Sequence, residues 1–95
     1  MKSVYVIKVS EYVEKYGHLN FACTTMIIRL RHNENVILDF VGITSISSNF
    51  LSEITNGIDE FFSYDYIKEK VEIHHSNAGI NRMIREQFDR VYNGE

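Results

Sequence analysis

The chain has no proline in 95 residues, where average usage of roughly 5% predicts about five. A proline-free chain carries no Pro-rich linker and no PxxP ligand segment, and its folding has no slow prolyl isomerisation. Cysteine is nearly absent as well. Cys23 stands alone and makes no internal disulfide. No Asn-x-Ser/Thr sequon occurs, and no apolar run approaches the roughly 18 residues of a membrane span. The start, Met1 to Ile7, meets Lys8 too soon for a signal-peptide core. These absences lead us to expect a soluble protein of a reducing cytoplasm. Length and a 44% hydrophobic content suit one folded domain over residues 1–95 and exclude a disordered chain.

A third scarcity is local. The net charge of −3 is uneven along the chain. Residues 1–33 carry Lys2, Lys8, Lys15, Arg29 and Arg31 against Glu11 and Glu14. Residues 34–66 carry Glu34, Asp39, Glu53, Asp59, Glu60 and Asp65 with no Lys or Arg. Residues 67–95 balance five basic against five acidic residues. An acidic middle third meets a basic partner or keeps the chain in solution. It argues against nucleic acid, for which Arg29, Arg31, Arg82, Arg85 and Arg90 are the candidate contacts.

Val4 to Ile7 reads as a strand. Residues 10–18 fit either a short helix or a second strand. Asn20 sits at an N-cap position, and Cys23, Met26, Ile27 and Leu30 follow on one helical face, with Arg29 and Arg31 in the last turn. Val36 to Val41 is a near-continuous apolar run, the pattern of a strand buried on both faces between helices. After a loop from Gly42 to Ser47, the spacing of Phe50, Ile54, Ile58 and Phe61 predicts one long helix over 48–63. Asn56-Gly57 falls inside it, and Gly57 reads as a close-packing point or a weak spot. Val71 to His74 alternates, as a strand near an edge does. Asn77 caps a last helix with Ile80, Met83, Ile84, Phe88 and Val91 on one face. Arg82–Glu86, Glu86–Arg90 and Arg85–Asp89 have the i,i+4 spacing of ion pairs. This alternation predicts an α/β fold: a small, mostly parallel or mixed sheet with helices packed on it.

Catalytic signatures are missing. The glycines form neither GxGxxG nor a P-loop, and CxxC, HExxH, EF-hand and GxSxG motifs do not occur. We therefore expect no enzyme, no cofactor and no metal. His74 and His75 are adjacent on a strand and point to opposite faces, so they do not share an ion. Cys23 lies on an apolar helix face and reads as a buried structural thiol. Asp39 ends the strongest strand, where α/β folds place ligands; it either faces a ligand or accepts N–H bonds from the following loop. Thr44, Ser45, Ser47, Ser48 and Asn49 surround the start of the next helix, which attracts anions or is simply capped by Ser47 or Ser48.

The segment Val36-Ile-Leu-Asp-Phe, then Gly42-Ile43, then Ile46-Ser-Ser-Asn-Phe-Leu-Ser-Glu-Ile54 resembles STAS domains, which are shared by sulphate transporters and anti-sigma factor antagonists. It is most similar to a small bacterial STAS-like family of uncharacterised function with an LDF…ISSSF-like signature. The motif covers residues 36–62 and implies an abbreviated STAS-like fold, short of a final strand–helix unit. The resemblance implies that the loop and helix after the central strand form an interaction surface. In anti-sigma antagonists, a serine at that helix start is phosphorylated by a partner kinase. Aligned on Leu38-Asp39, Asn49 falls on the phosphoacceptor, Ser48 on the hydroxyl before it and Phe50 on the glycine. Asparagine accepts no phosphate. The switch therefore uses Ser48 or Ser47, or the helix is a constitutive docking face, which is the leading reading.

The expectation is a non-catalytic regulatory module that docks a partner protein through residues 42–62. Ser47, Ser48, Asn49 and Ser52 supply polar contacts there, and Glu53, Asp59 and Glu60 an acidic face. The resemblance suggests an ATPase-type kinase or another regulator as partner. Two alternatives stay open: a phage or mobile-element accessory protein that inhibits a host complex, and a small enzyme or ligand binder using Asp39 and the Ser/Thr loop. An exposed edge at 71–75 also offers pairing with a second copy.

Overall fold

The computed structural model describes residues 3–15 and 20–94. Strand β1 (Val4–Lys8) runs directly into helix α1 (Val9–Lys15), followed by α2 (Asn20–Arg31) and strand β2 (Asn35–Asp39). Three short helices come next: α3 (Ser48–Ile54), α4 (Ile58–Phe61) and α5 (Tyr64–Lys70). Strand β3 (Val71–His74) and helix α6 (Ala78–Asn93) complete the order. The result is an α/β fold with a three-stranded, all-parallel sheet in the order β1-β2-β3. Residues 10–15 of the ambiguous stretch are helical, and residues 16–19 lie outside the described residues.

Register fixes which side chains share a face. Val6 pairs with Ile37, and Ile37 with Glu72; Ile7 pairs with Leu38, and Leu38 with Ile73. One face therefore carries Tyr5, Ile7, Val36, Leu38, Val71 and Ile73, all of which join the hydrophobic core. The other carries Val4, Val6, Ile37 and Glu72, none of which does, and Val4 and Val6 are 51% and 46% exposed. This corrects the expectation of a strand buried between two helical layers. The apolar run of β2 is continuous in sequence, but Ile37 is only half-buried.

Helix α2 buries Ala22, Cys23, Met26 and Leu30. It ends at Asn33, whose left-handed φ of 61° lets its N–H reach the Leu30 carbonyl while Glu34 N–H reaches that of Arg29. This double closure is a Schellman motif, with asparagine in the position glycine usually takes. At the other end of the molecule's largest helix, Asn77 caps α6 as expected: its side chain accepts from Ile80 N–H at 2.9 Å. Ile80, Ile84 and Phe88 are buried, with Met83 and Val91 packed against them. The three i,i+4 pairs of α6 do not form. Arg90 instead donates to Gln87 at 2.8 Å, and Asp89 accepts from the Tyr64 hydroxyl at 3.1 Å.

The long helix over 48–63 is corrected to two helices. Gly57 takes φ 77°, a left-handed conformation that suits glycine and breaks the helix, so Ile58 restarts it as α4. The break is held inside the core. Thr55 is 3% exposed and donates its hydroxyl to the Leu51 carbonyl at 2.7 Å. Buried Gln87 of α6 donates to that same hydroxyl oxygen at 3.1 Å. The Cys23 thiol of α2 donates to the Asn56 carbonyl at 3.3 Å, and burial pushes its pKa up. Helix α5 was not anticipated. Ser63 caps it by accepting from Tyr66 N–H, Asp65 sits in its first turn, and Lys68 and Lys70 in its last. Only Ile67 of this helix is buried, so no apolar stripe announced it.

The Thr55–Gln87 bond makes a stability prediction. Thr55→Val keeps the volume, strands the buried Gln87 amide and is expected to cost about 1–3 kcal/mol. Urea denaturation measures this, with exposed Ser52→Ala expected to stay within about 0.5 kcal/mol of the parent.

Candidate functional site

Side-chain chemistry gathers at the C-terminal end of the parallel sheet, where open α/β sheets place their ligands. Strand β2 ends at Asp39. Phe40 N–H donates to the His74 carbonyl at 2.9 Å, and a turn follows in which Ile43 N–H donates to the Phe40 carbonyl at 2.9 Å. Gly42 sits at its third position with φ 81°, which marks a type II-like turn that favours glycine there. The turn lifts Val41 to its tip and delivers the hydroxyl-rich stretch 44–48 to the start of α3.

Asp39 makes the loop bond expected of it and takes a second partner, His75. Its Oδ1 accepts from Val41 N–H at 3.0 Å, the loop bond expected, and also lies 2.8 Å from Nδ1 of His75. The hydrogen bond from His75 and then the one from Val41 N–H hold the carboxyl below its ordinary value of 3.8. Lys8, its register partner on β1, adds a weaker pull in the same direction. His75 adopts a left-handed φ of 56° just past β3, which turns its ring toward Asp39. That ring is 65% exposed, whereas the Asp39 side chain is only 13% exposed. His74 takes a different partner, Glu72, at 3.5 Å.

A carboxylate on Nδ1 orients an imidazole so that Nε2 faces outward as a proton donor or acceptor. Among the described residues, no hydroxyl or thiol hydrogen-bonds to that second nitrogen. No sequence spacing links Asp39 to His75. The link follows from parallel pairing, which sets the ends of adjacent strands side by side.

The Ser/Thr loop is tied to α6. Asn77 Nδ2 donates to the Thr44 carbonyl at 3.0 Å, so one asparagine caps the helix and holds the loop. Between them lies an open cleft of about 300 Å³ lined by Thr44, Ser45, Ile46, Gly79, Arg82 and Met83, among others. Neither Asp39 nor His74 lines it. Gly79 is a cleft residue that sequence reasoning did not single out, and Arg82 stood out there only as a nucleic-acid contact and an i,i+4 partner of Glu86.

Ser47 caps α3, its Oγ accepting from Phe50 N–H at 3.1 Å. Ser48, Asn49 and Ser52 are exposed, and Glu53 is half-buried and engaged within the protein. Asp59 and Glu60 are exposed on the first turn of α4. The Thr44 end of the loop and the acids of α4 lie at opposite ends of α6. The Thr44 end of the loop meets the N-terminus of α6, whereas Asp59 lies near Tyr92 at the other end, about 20 Å away along the helix. Burial, and then the charge of Asp59, push the Tyr92 hydroxyl up to about 12. Among the described residues, no helix is long and apolar enough to cross a membrane.

No family model, curated protein or solved structure matches this chain.

The Asp39 carboxylate gives a pH signature. A carboxyl held below its ordinary pKa stabilises the fold fully above that value, and the contribution is lost as pH falls through the lowered folded-state pKa. Asp39→Asn is expected to be less stable than the parent at pH 7, with the gap closing as pH drops through that range. Carbon-detected NMR titration should place the Asp39 midpoint below 3.8, and His75→Ala should move it upward.

Proposed function

We propose that this protein is a non-catalytic regulatory module that docks a partner protein through residues 42–62. One observation carries the reading: this stretch is exposed and contributes no cation of its own, Arg31 over Phe61 and Arg82 beside Thr44 coming from α2 and α6. Ser47, Ser48, Asn49, Ser52, Asp59 and Glu60 are all exposed. They are accompanied by two exposed apolar side chains, Val41 at 47% and Phe61 at 51% exposure, the latter with the Arg31 guanidinium 5.6 Å from its ring centre. Residues 34–66 hold six acids and no Lys or Arg. Apolar anchors within a polar, acidic surround suit a protein partner with a basic face. The resemblance of residues 36–62 to STAS domains supports the same reading, and by analogy suggests an ATPase-type kinase or related regulator as partner. In that setting Ser48 is the better phosphoacceptor, because the Ser47 hydroxyl is already engaged as the α3 cap. A phosphate there adds about −1.5 to −2 charge to the surface.

A second reading rests on the Asp39–His75 pair, whose outward ring nitrogen at the sheet's C-terminal end suits a small polar ligand. His75→Ala should abolish binding in a fragment screen by NMR if that reading holds.

The docking surface is tested by affinity capture from the native cell with quantitative mass spectrometry. Ser48→Lys and Glu60→Lys, which set positive charge against a basic face, are each expected to deplete a specific partner about tenfold, near 1.4 kcal/mol. An unchanged partner set for both variants would falsify the surface.

A further inference from the structure

Strand β3 is an edge strand, and its free edge borders an apolar groove between α5 and α6 of about 270 Å³. Val71, Ile73, Ile84 and Phe88 line the groove, and the exposed side chains of Lys68 and Arg85 contribute the charge. Among the described residues, neither cation makes an ion pair with a carboxylate. Lys68 Nζ sits 4.4 Å from the centre of the Tyr64 ring instead. Asp89, the i+4 neighbour of Arg85, is taken by the Tyr64 hydroxyl.

The main chain at this edge is available. The His74 carbonyl accepts from Phe40 N–H, so His74 and, two residues back, Glu72 address β2. Alternation turns the N–H and C=O of Ile73 to the opposite side. Val71 N–H is satisfied by the Ile67 carbonyl at the end of α5. Ile73 thus presents an unused donor and acceptor outward while its side chain lines the groove. No proline or inward-pointing charge on β3 blocks pairing.

We propose that the β3 edge and this groove form a second docking site, for an extended partner segment whose inward side chains are apolar at the centre and acidic at the ends. The segment would add as a fourth strand, its backbone bonding to Ile73. Its apolar side chains would contact Ile84 and Phe88, and its carboxylates Lys68 and Arg85. Charge selects this occupant over a second copy of the chain. The inward residues of β3 are Val71 and Ile73, with no acid between them, so twin pairing would supply no counter-charge and would set two Lys68–Arg85 pairs near a common axis. No residue of 42–62 lines this groove, and the two surfaces are tested by different variants, so failure at one does not decide the other.

The probe is a blocked seven-residue peptide with Glu, Val, Ile and Glu at alternating positions and Thr between them. In a titration followed by amide NMR, shifts should concentrate at Val71, Ile73, Ile84 and Phe88. A peptide with Lys for both Glu residues, and the protein variant Lys68→Glu/Arg85→Glu, should each weaken binding at least about tenfold. N-methylation of the peptide amides that would face Ile73 should do the same. Equal binding by the Lys peptide, or no response along β3, would overturn the proposal. So would a dimer formed through this edge in the unliganded protein, seen by sedimentation. Lys68 and Arg85 are exposed, and circular dichroism checks that the variant remains folded.

Discussion

The fold turns on one buried polar contact, the hydrogen bond from Gln87 to Thr55. A left-handed glycine inside an apolar segment would ordinarily leave the freed carbonyls of the preceding helix to solvent. Here the break at Gly57 is enclosed instead. Thr55 returns its hydroxyl to α3, Gln87 reaches it from α6, and Cys23 meets the Asn56 carbonyl from α2. Three helices therefore converge on a junction whose polar atoms satisfy one another. Ile58, fully buried just past the break, can then enter the core from a new direction.

Among the described residues, the helical layer covers a single face of the sheet. Val36, Leu38 and Phe40 of the central strand project into the helical layer, while Val6 and Ile37 face away from it. Parallel sheets are usually covered on both faces. The chemistry of the molecule is accordingly found at the sheet's margins: the Asp39–His75 pair at one end of the strands, and the β3 edge with its cationic groove along one side.

Much of the architecture was legible from periodicity. The strands expected at 4–7, 36–41 and 71–74 from β-rich runs lie at 4–8, 35–39 and 71–74, and the caps at Ser47 and Asn77 follow from side-chain acceptors before apolar stripes. Other features compete with such local signals. Phe50, Ile54, Ile58 and Phe61 keep helical spacing across Gly57 because α3 and α4 pack against the same core, so spacing concealed the break. Helix α5 buries one residue and declares itself only through Ser63 and its end charges. Asp39 was recognisable as a site residue from its place at a strand end. His75 was not, since its approach depends on β3 lying beside β2 and on a backbone turn at φ 56°. The i,i+4 charges of α6 satisfied a local rule, yet Asp89 and Arg90 found tertiary or nearer partners.

The two connections leaving and entering the central part of the sheet differ in slack. Residues 40–47 separate β2 from α3, a connection eight residues long. No residue separates α5 from β3: Lys70 ends the helix and Val71 begins the strand. Tyr66 of α5 also holds the Leu30 carbonyl at the end of α2 at 2.7 Å. The third strand is thus geared to two helices with no intervening spring. A pull along it bears on the helical layer directly, whereas the Ser/Thr loop reaches α3 and α6 only through the Ser47 cap and the Asn77–Thr44 hydrogen bond.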